Sequence, residues 1–136
     1  MSGVLALGSV DAAEAVALWE LAGLVRPWNA PRADFDRAVA GSASTVLGVR
    51  DDGVLIGTAM VGHDGHRGWL YYVAVAPARR RRGIGAMLVR GAESWIADAD
   101  IPKAQLMVRA DNAAAIGFYR ALGYDVQDVT VLGRRL

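Results

Sequence analysis

Hydrophobic residues fall along this chain at two spacings, and the switches between them mark out its elements. Val4 to Leu7 is a short apolar run that reads as a strand. After Gly8-Ser9, the residues Ala12, Ala15, Val16, Trp19 and Gly23 recur at helical spacing, so a helix with Ser9 as its N-cap is expected. The segment Arg26-Pro27-Trp28-Asn29-Ala30-Pro31 ends it, because each proline disfavours helical geometry in the residue before it. A second short helix is predicted from Pro31 to Ala40. Thr45 to Arg50 and Val54 to His63 are β-rich and flank Asp51-Asp52-Gly53, a turn whose glycine tolerates positive φ, so they predict a hairpin. Asp64-Gly65-His66-Arg67-Gly68 separates that hairpin from Trp69 to Val75, which makes three antiparallel strands in succession.

From Gly83 to Ala97, the residues Ile84, Met87, Leu88, Gly91 and Trp95 share one helical face. Ala104 to Val108 then reads as a strand, Asn112 to Leu122 as a helix stopped by Gly123, and Asp125 to Leu132 as a final strand. The order β, α, α, three strands, α, β, α, β predicts an α/β fold with a mixed, mostly antiparallel central sheet flanked by helices. A length of 136 residues gives room for one domain, 1–136, and not for two. The chain contains no internal repeat, low-complexity tract or linker.

Composition narrows the chemistry. With 54% hydrophobic and 21% charged residues, the chain has the apolar surface that disordered segments lack. Cysteine is absent, which removes disulfides, thiolate zinc sites and cysteine nucleophiles, and suits a reducing cytoplasm. No apolar run approaches the roughly 18 residues of a membrane span, and no basic residue precedes the N-terminal apolar stretch, so neither a membrane nor an export signal is expected. The net charge of +1 hides an asymmetry: residues 1–78 hold 5 basic and 8 acidic residues, while 79–136 hold 10 basic and 6 acidic.

That positive charge concentrates between the fourth predicted strand and the long helix, in Val75-Ala76-Pro77-Ala78-Arg79-Arg80-Arg81-Arg82-Gly83-Ile84-Gly85-Ala86. Glycines at a helix start let backbone approach a ligand, and the unpaired N–H groups there favour a phosphate. A Walker A loop is absent, and the dinucleotide fingerprint fails because Leu88 stands where its third small residue belongs. Two glycines alone fit helix packing equally well.

The surrounding residues add context. Arg80-Arg81-Arg82-Gly83-Ile84-Gly85, after a V-A-V-x-P strand end, resembles the R-x-x-G-x-G acetyl-CoA motif of the GNAT superfamily of N-acetyltransferases. Asn112 to Tyr124 resembles that superfamily's N-x-x-A-x-x-x-Y-x-x-L-G-[FY] segment, and Asp52-Gly53-Val54-Leu55-Ile56-Gly57 its β-hairpin. The Arg26-Pro27-Trp28-Asn29 and Asp64 to Gly68 segments resemble a small bacterial single-domain branch grouped with ribosomal-protein N-acetyltransferases. The resemblance implies an acetyl-CoA-dependent enzyme that moves an acetyl group to a primary amine of a small molecule or protein by direct attack in a ternary complex. It implies that the Val73 N–H stabilises the oxyanion, that Val75 and Asn112 contact the pantetheine arm, and that Tyr119 protonates the departing thiolate. Arg80, Arg81, Arg82, Gly83, Ile84, Gly85 and Ala86 would hold the pyrophosphate. Arg81 departs from the family pattern, which has a small residue there. The family's usual carboxylate base is missing too, since neither Trp69 to Val75 nor Ala104 to Val108 contains one.

Each of these residues also has a plainer reading. Tyr119 could be a core aromatic, Asn112 only a helix N-cap, and Trp28 a side chain packed over the first helix. The arginine run could face nucleic acid, but without interleaved aromatics or a known binding motif it reads more simply as a phosphate cradle. His63 and His66 lie three apart in a turn with no cysteine and no second carboxylate beyond Asp64, so no metal is expected. Trp28, Asn29, Asp64 and His66 are the expected substrate-binding residues at the acceptor mouth. Two rivals stand beside the enzyme: a non-catalytic acyl-CoA-binding regulator and an arginine-loop nucleic-acid module. A homodimer is compatible with everything in the chain.

Overall fold

Each β-rich run pairs with its sequence neighbour, and the resulting sheet carries helices on both faces. In the computed structural model, which describes all 136 residues, the elements are β1 (Leu5–Ala6), α1 (Ala12–Leu21), α2 (Pro31–Ala40), β2 (Ser44–Asp51), β3 (Val54–His63), β4 (Gly68–Val75), α3 (Ile84–Asp98), β5 (Ala104–Leu106) and α4 (Ala113–Ala121). Strand order follows chain order, with β1 to β4 antiparallel and β4 parallel to β5. The mixed, mostly antiparallel sheet of the sequence reading is therefore the observed one. Asp52 (φ 50°) and Gly53 (φ 78°) both take positive φ between β2 and β3, the turn geometry that matches the natural twist of a hairpin.

Strand alternation sends successive side chains to opposite faces, and two separate cores result. Val46, Leu55 and Ala74 meet Trp19 of α1 and Phe35 of α2 on one face. Leu47, Ile56, Val61 and Leu70 meet Ile84, Leu88 and Ile96 of α3 on the other. Glycine in the strands brings α3 close to the sheet. A Cβ on Gly57 would lie 2.8 Å from Leu88 Cδ1, and one on Gly68 would run into Ile96.

Three expectations change. Ser9 is not an N-cap but opens a 3-10 turn over Ser9–Asp11, where the Gly8 N–H donates to Asp11 Oδ2 at 2.8 Å. The fifth strand has three residues rather than five, because β4 and β5 part beyond Leu70 and Leu106. Asp125 to Leu132 forms no strand. Val126, Val129, Val131 and Leu132 do not keep a period of two, and the neighbouring edge, β5, is too short to template a ladder. These apolar side chains are 65–91% exposed.

Candidate active site

The central irregularity of the sheet lies in β4. Its register with β3 runs from His63↔Gly68 to Met60↔Tyr71 and resumes at Thr58↔Ala74, so Tyr72 and Val73 together oppose one residue of β3. This is a β-bulge, and Tyr72 holds φ 48°, a conformation rare for a bulky aromatic. Beyond Leu70 the other edge of β4 has no partner on β5. Val73 and Val75 thus border a gap between two diverging parallel strands, where backbone is open to a ligand.

The bulge opens into a cleft of about 1160 Å³ bounded by the α1–α2 loop, α2, the end of β3, β4 and the start of α4. Trp28, Asn29 and Asp64, three of the four residues expected at an acceptor mouth, line it. His66 does not. It lies exposed in the β3–β4 turn, and His63 lines the cleft in its place, with Nδ1 accepting the Gly65 N–H at 3.1 Å. Asp64 is held by its own turn. Its Oδ1 accepts the His66 and Arg67 N–H groups at 2.8 and 2.7 Å, and these backbone hydrogen bonds keep the carboxyl below its usual range.

Val73 lines this cleft together with Asn112 and Tyr119. Asn112 caps α4, accepting the Ala115 N–H on Oδ1 at 3.1 Å, so the N-cap reading is correct for this residue. Tyr119 sits about two turns further on, its ring edge-on to Phe118 and Tyr124 at 4.9 and 5.8 Å. Burial alone pushes its phenol up to about 12, because no hydrogen bond to the protein offsets the cost of ionising it there. The hydroxyl is therefore both protonated and uncommitted. Tyr119 packs against the α3 core as well, so the packing role and the site role fall on the same residue.

The arginine loop lies outside the cleft, at the N-terminal end of α3. Arg79 is committed to Asp51 at the β2–β3 turn, and it holds the Asp51 carboxyl below the usual range together with the chain's N-terminal ammonium at 3.3 Å. Arg80, Arg81 and Arg82 are exposed and form no ion pair. Arg81 (φ 65°) and Gly83 (φ 78°) both take the left-handed region, which turns the backbone into α3. Nothing lies within 4 Å of a Cβ built on Gly83, while one on Gly85 would sit 3.2 Å from Phe118 of α4. Three unpaired guanidiniums, a tight turn and the free amides of a 15-residue helix make a place for a polyanion.

Sequence reasoning missed the residues that fix the bulge. Tyr72 stacks on Trp19, its hydroxyl donates to Asp34 Oδ2 at 2.8 Å, and its carbonyl accepts from Thr58. The available signal was Thr58 itself, a lone hydroxyl inside the apolar run of β3 and fully buried.

Comparison with known proteins follows the same lines. The profile of the acetyltransferase (GNAT) family matches residues 14–124. An acetyltransferase of Yersinia pestis is 40% identical over 126 residues, covering 93% of this chain and 89% of that protein. A putative acetyltransferase from Agrobacterium tumefaciens superposes with a TM-score of 0.84 at 23% identity, over 99% of this chain and all of the other. The aminoglycoside N-acetyltransferase AAC(6')-Iy, solved with CoA, superposes with a TM-score of 0.83 at 18% identity, over 97% and 93% of the two chains.

Proposed function

The chain belongs to the GNAT acetyltransferase family, and on that premise we propose that it is an acetyl-CoA-dependent N-acetyltransferase acting on a primary amine by direct attack in a ternary complex. The observation that carries this reading is the gap beside the Tyr72–Val73 bulge, which has the unpartnered Tyr119 hydroxyl among its lining residues. Acetyl-CoA supplies the activated thioester. Arg80, Arg81 and Arg82 with the amides from Gly83 to Ala86 hold its pyrophosphate, and the open edge of β4 at Val75 pairs with the pantetheine arm. Asn112, at the start of α4, lines the same gap and contacts that arm.

In the transfer, the amine nitrogen forms a bond to the acetyl carbon and the carbon–sulfur bond breaks. The Val73 N–H donates to the oxygen that gains charge, a stabilisation that needs no reorganisation because the bulge is already formed. Tyr119 gives its proton to sulfur and regains one from solvent. The amine proton leaves through cleft water, since neither β4 nor β5 carries a carboxylate. An alkylammonium titrates near 10, so the enzyme draws on the small neutral fraction at lower pH.

The acceptor of AAC(6')-Iy is not carried over, because that likeness is one of fold. The test of the proposal is release of free thiol from acetyl-CoA by the purified chain across a panel of primary amines. Binding of acetyl-CoA without turnover on any amine would leave a regulator. Salt-sensitive binding to DNA or RNA that CoA does not compete would leave a nucleic-acid module.

A further inference from the structure

The cleft at the β4 bulge has an unequal balance of spent and unspent charge. Two carboxylates line it, and both are occupied within the protein. Asp34 accepts Arg37 on Oδ1 at 2.6 Å and the Tyr72 hydroxyl on Oδ2 at 2.8 Å. Asp64 accepts two backbone N–H groups on Oδ1 and the Trp69 indole on Oδ2 at 3.4 Å. The cations are different. Arg109 lines the cleft with no side-chain partner, and Arg37 commits one nitrogen to Asp34 and is otherwise 71% exposed. Arg26 commits one nitrogen to the carbonyls of Gly23 and Val25, and Arg135 comes over the Trp28 ring at the mouth, 5.6 Å from its centroid.

A polycationic amine entering this cleft meets two carboxylates that already accept from protein donors, against three guanidiniums, of which Arg109 is unpaired and Arg26 and Arg37 keep donors to spare. An amine that also carries a carboxylate meets donors suited to bidentate contact. We propose that the acceptor is a primary amine bearing one or more carboxylates, of the kind found in an acidic amino acid or a short acidic peptide. The cleft volume of about 1160 Å³ accommodates either. This rests on the acetyl-transfer reading for the fate of the amine, but the charge selection is a property of the cleft itself.

Calorimetric titration of the full chain with alanyl-glutamate, its diamide, spermidine and kanamycin, each with and without CoA, separates the two. Alanyl-glutamate is expected to bind on the order of tenfold more tightly than its diamide, with the polycations weakest. Arg109→Gln should narrow that gap. Arg37→Gln should narrow it further and improve spermidine binding, because it removes a cation and frees Asp34 Oδ1 at once. Equal affinity for acid and diamide, or a preference for spermidine or kanamycin, overturns the proposal. Selective binding of the acid without acetylation upholds the charge selection and counts against the acetyl-transfer reading instead.

Discussion

Trp19 and Tyr72 are joined twice. Their rings stack with centroids 3.9 Å apart and planes 10° from parallel, and the Trp19 indole N–H donates at 2.8 Å to Thr58 Oγ1, which donates at 3.0 Å to the Tyr72 carbonyl. A residue of α1 therefore holds both the side chain and the peptide of the bulged residue. This double hold keeps a bulky aromatic at positive φ, a conformation that costs of order 1–3 kcal/mol and persists only where its surroundings over-determine it.

Thr58→Val tests the hold. It keeps the shape of the side chain but leaves the Trp19 N–H and the Tyr72 carbonyl without their partner in a fully buried position. Urea denaturation should show a loss of about 2–4 kcal/mol, since unsatisfied buried groups forfeit their full desolvation cost. Acetyl transfer should fall more than stability alone explains, and Thr58→Ser should restore both. Wild-type stability in the valine variant would mean that the stack alone fixes the bulge.

Tyr119→Phe keeps the ring and removes the proton. Turnover is expected to fall on the order of 10²-fold while the dissociation constant for acetyl-CoA stays constant. With the phenol pushed up to about 12, the wild-type rate should rise with pH through the amine's titration and show no falling limb from Tyr119 below pH 11 or so. Equal rates for the two proteins, where chemistry limits turnover, would assign the acid to solvent.

Alkaline stability follows from the same burial. Tyr72 and Tyr119 are each pushed up to about 12, mainly by burial, with the Asp34 hydrogen bond adding to the shift of Tyr72. Both phenols ionise near 10 in the unfolded chain, so their contribution to stability is complete below pH 10 and is lost as pH rises from there through 12. Melting temperature should therefore decline over that range, and less so in Tyr72→Phe once its lower starting value is subtracted. A melting temperature flat from pH 9 to 11.5 or so would contradict the assigned burial.

Millimolar acetyl-CoA should raise the melting temperature by mass action. Gly83→Val should abolish the rise, because a β-branched residue is strained at φ 78° and the turn into α3 must move. If the variant folds and still responds to acetyl-CoA as wild type does, the pyrophosphate lies elsewhere.

Trp28→Ala bears on the other substrate. The ring is 53% exposed, lines the cleft and carries Arg135 over its face, so its loss should raise KM for the amine several-fold and leave acetyl-CoA binding alone. Wild-type kinetics with an identified amine would remove Trp28 from the acceptor wall.

What could be read in the sequence and what could not divides by distance along the chain. The β2–β3 hairpin was legible because Asp51-Asp52-Gly53 is a local signal, and α3 because Ile84, Met87, Leu88, Gly91 and Trp95 recur at helical spacing within one helix, although only Ile84 and Leu88 of these are fully buried. Asn112 as the cap of α4 was legible for the same reason. The bulge was not, since its hydrogen bonds reach from Tyr72 back 14 residues to Thr58, and from there another 39 to Trp19. No pattern within Trp69 to Val75 marks Tyr72 as different from Tyr71. The last strand failed in the opposite direction: Val126, Val129 and Val131 are strong β formers, but strand formation needs an edge to pair with, and that requirement is tertiary.

The two cores on opposite faces of the sheet give mutation two unequal kinds of opportunity. Under the proposed function, changes at Trp28, Asn29 or Arg37 reshape the acceptor wall, which lies on the α1–α2 side of the sheet, apart from the Ile84 and Leu88 packing beneath the arginine loop. A duplicated copy of this gene can therefore drift toward a new amine in a few independent steps while keeping its acetyl donor. Tyr72 has no such freedom: its strand borders the cleft and the gap beside α4 alike, so a single replacement there alters both halves of the reaction in one generation.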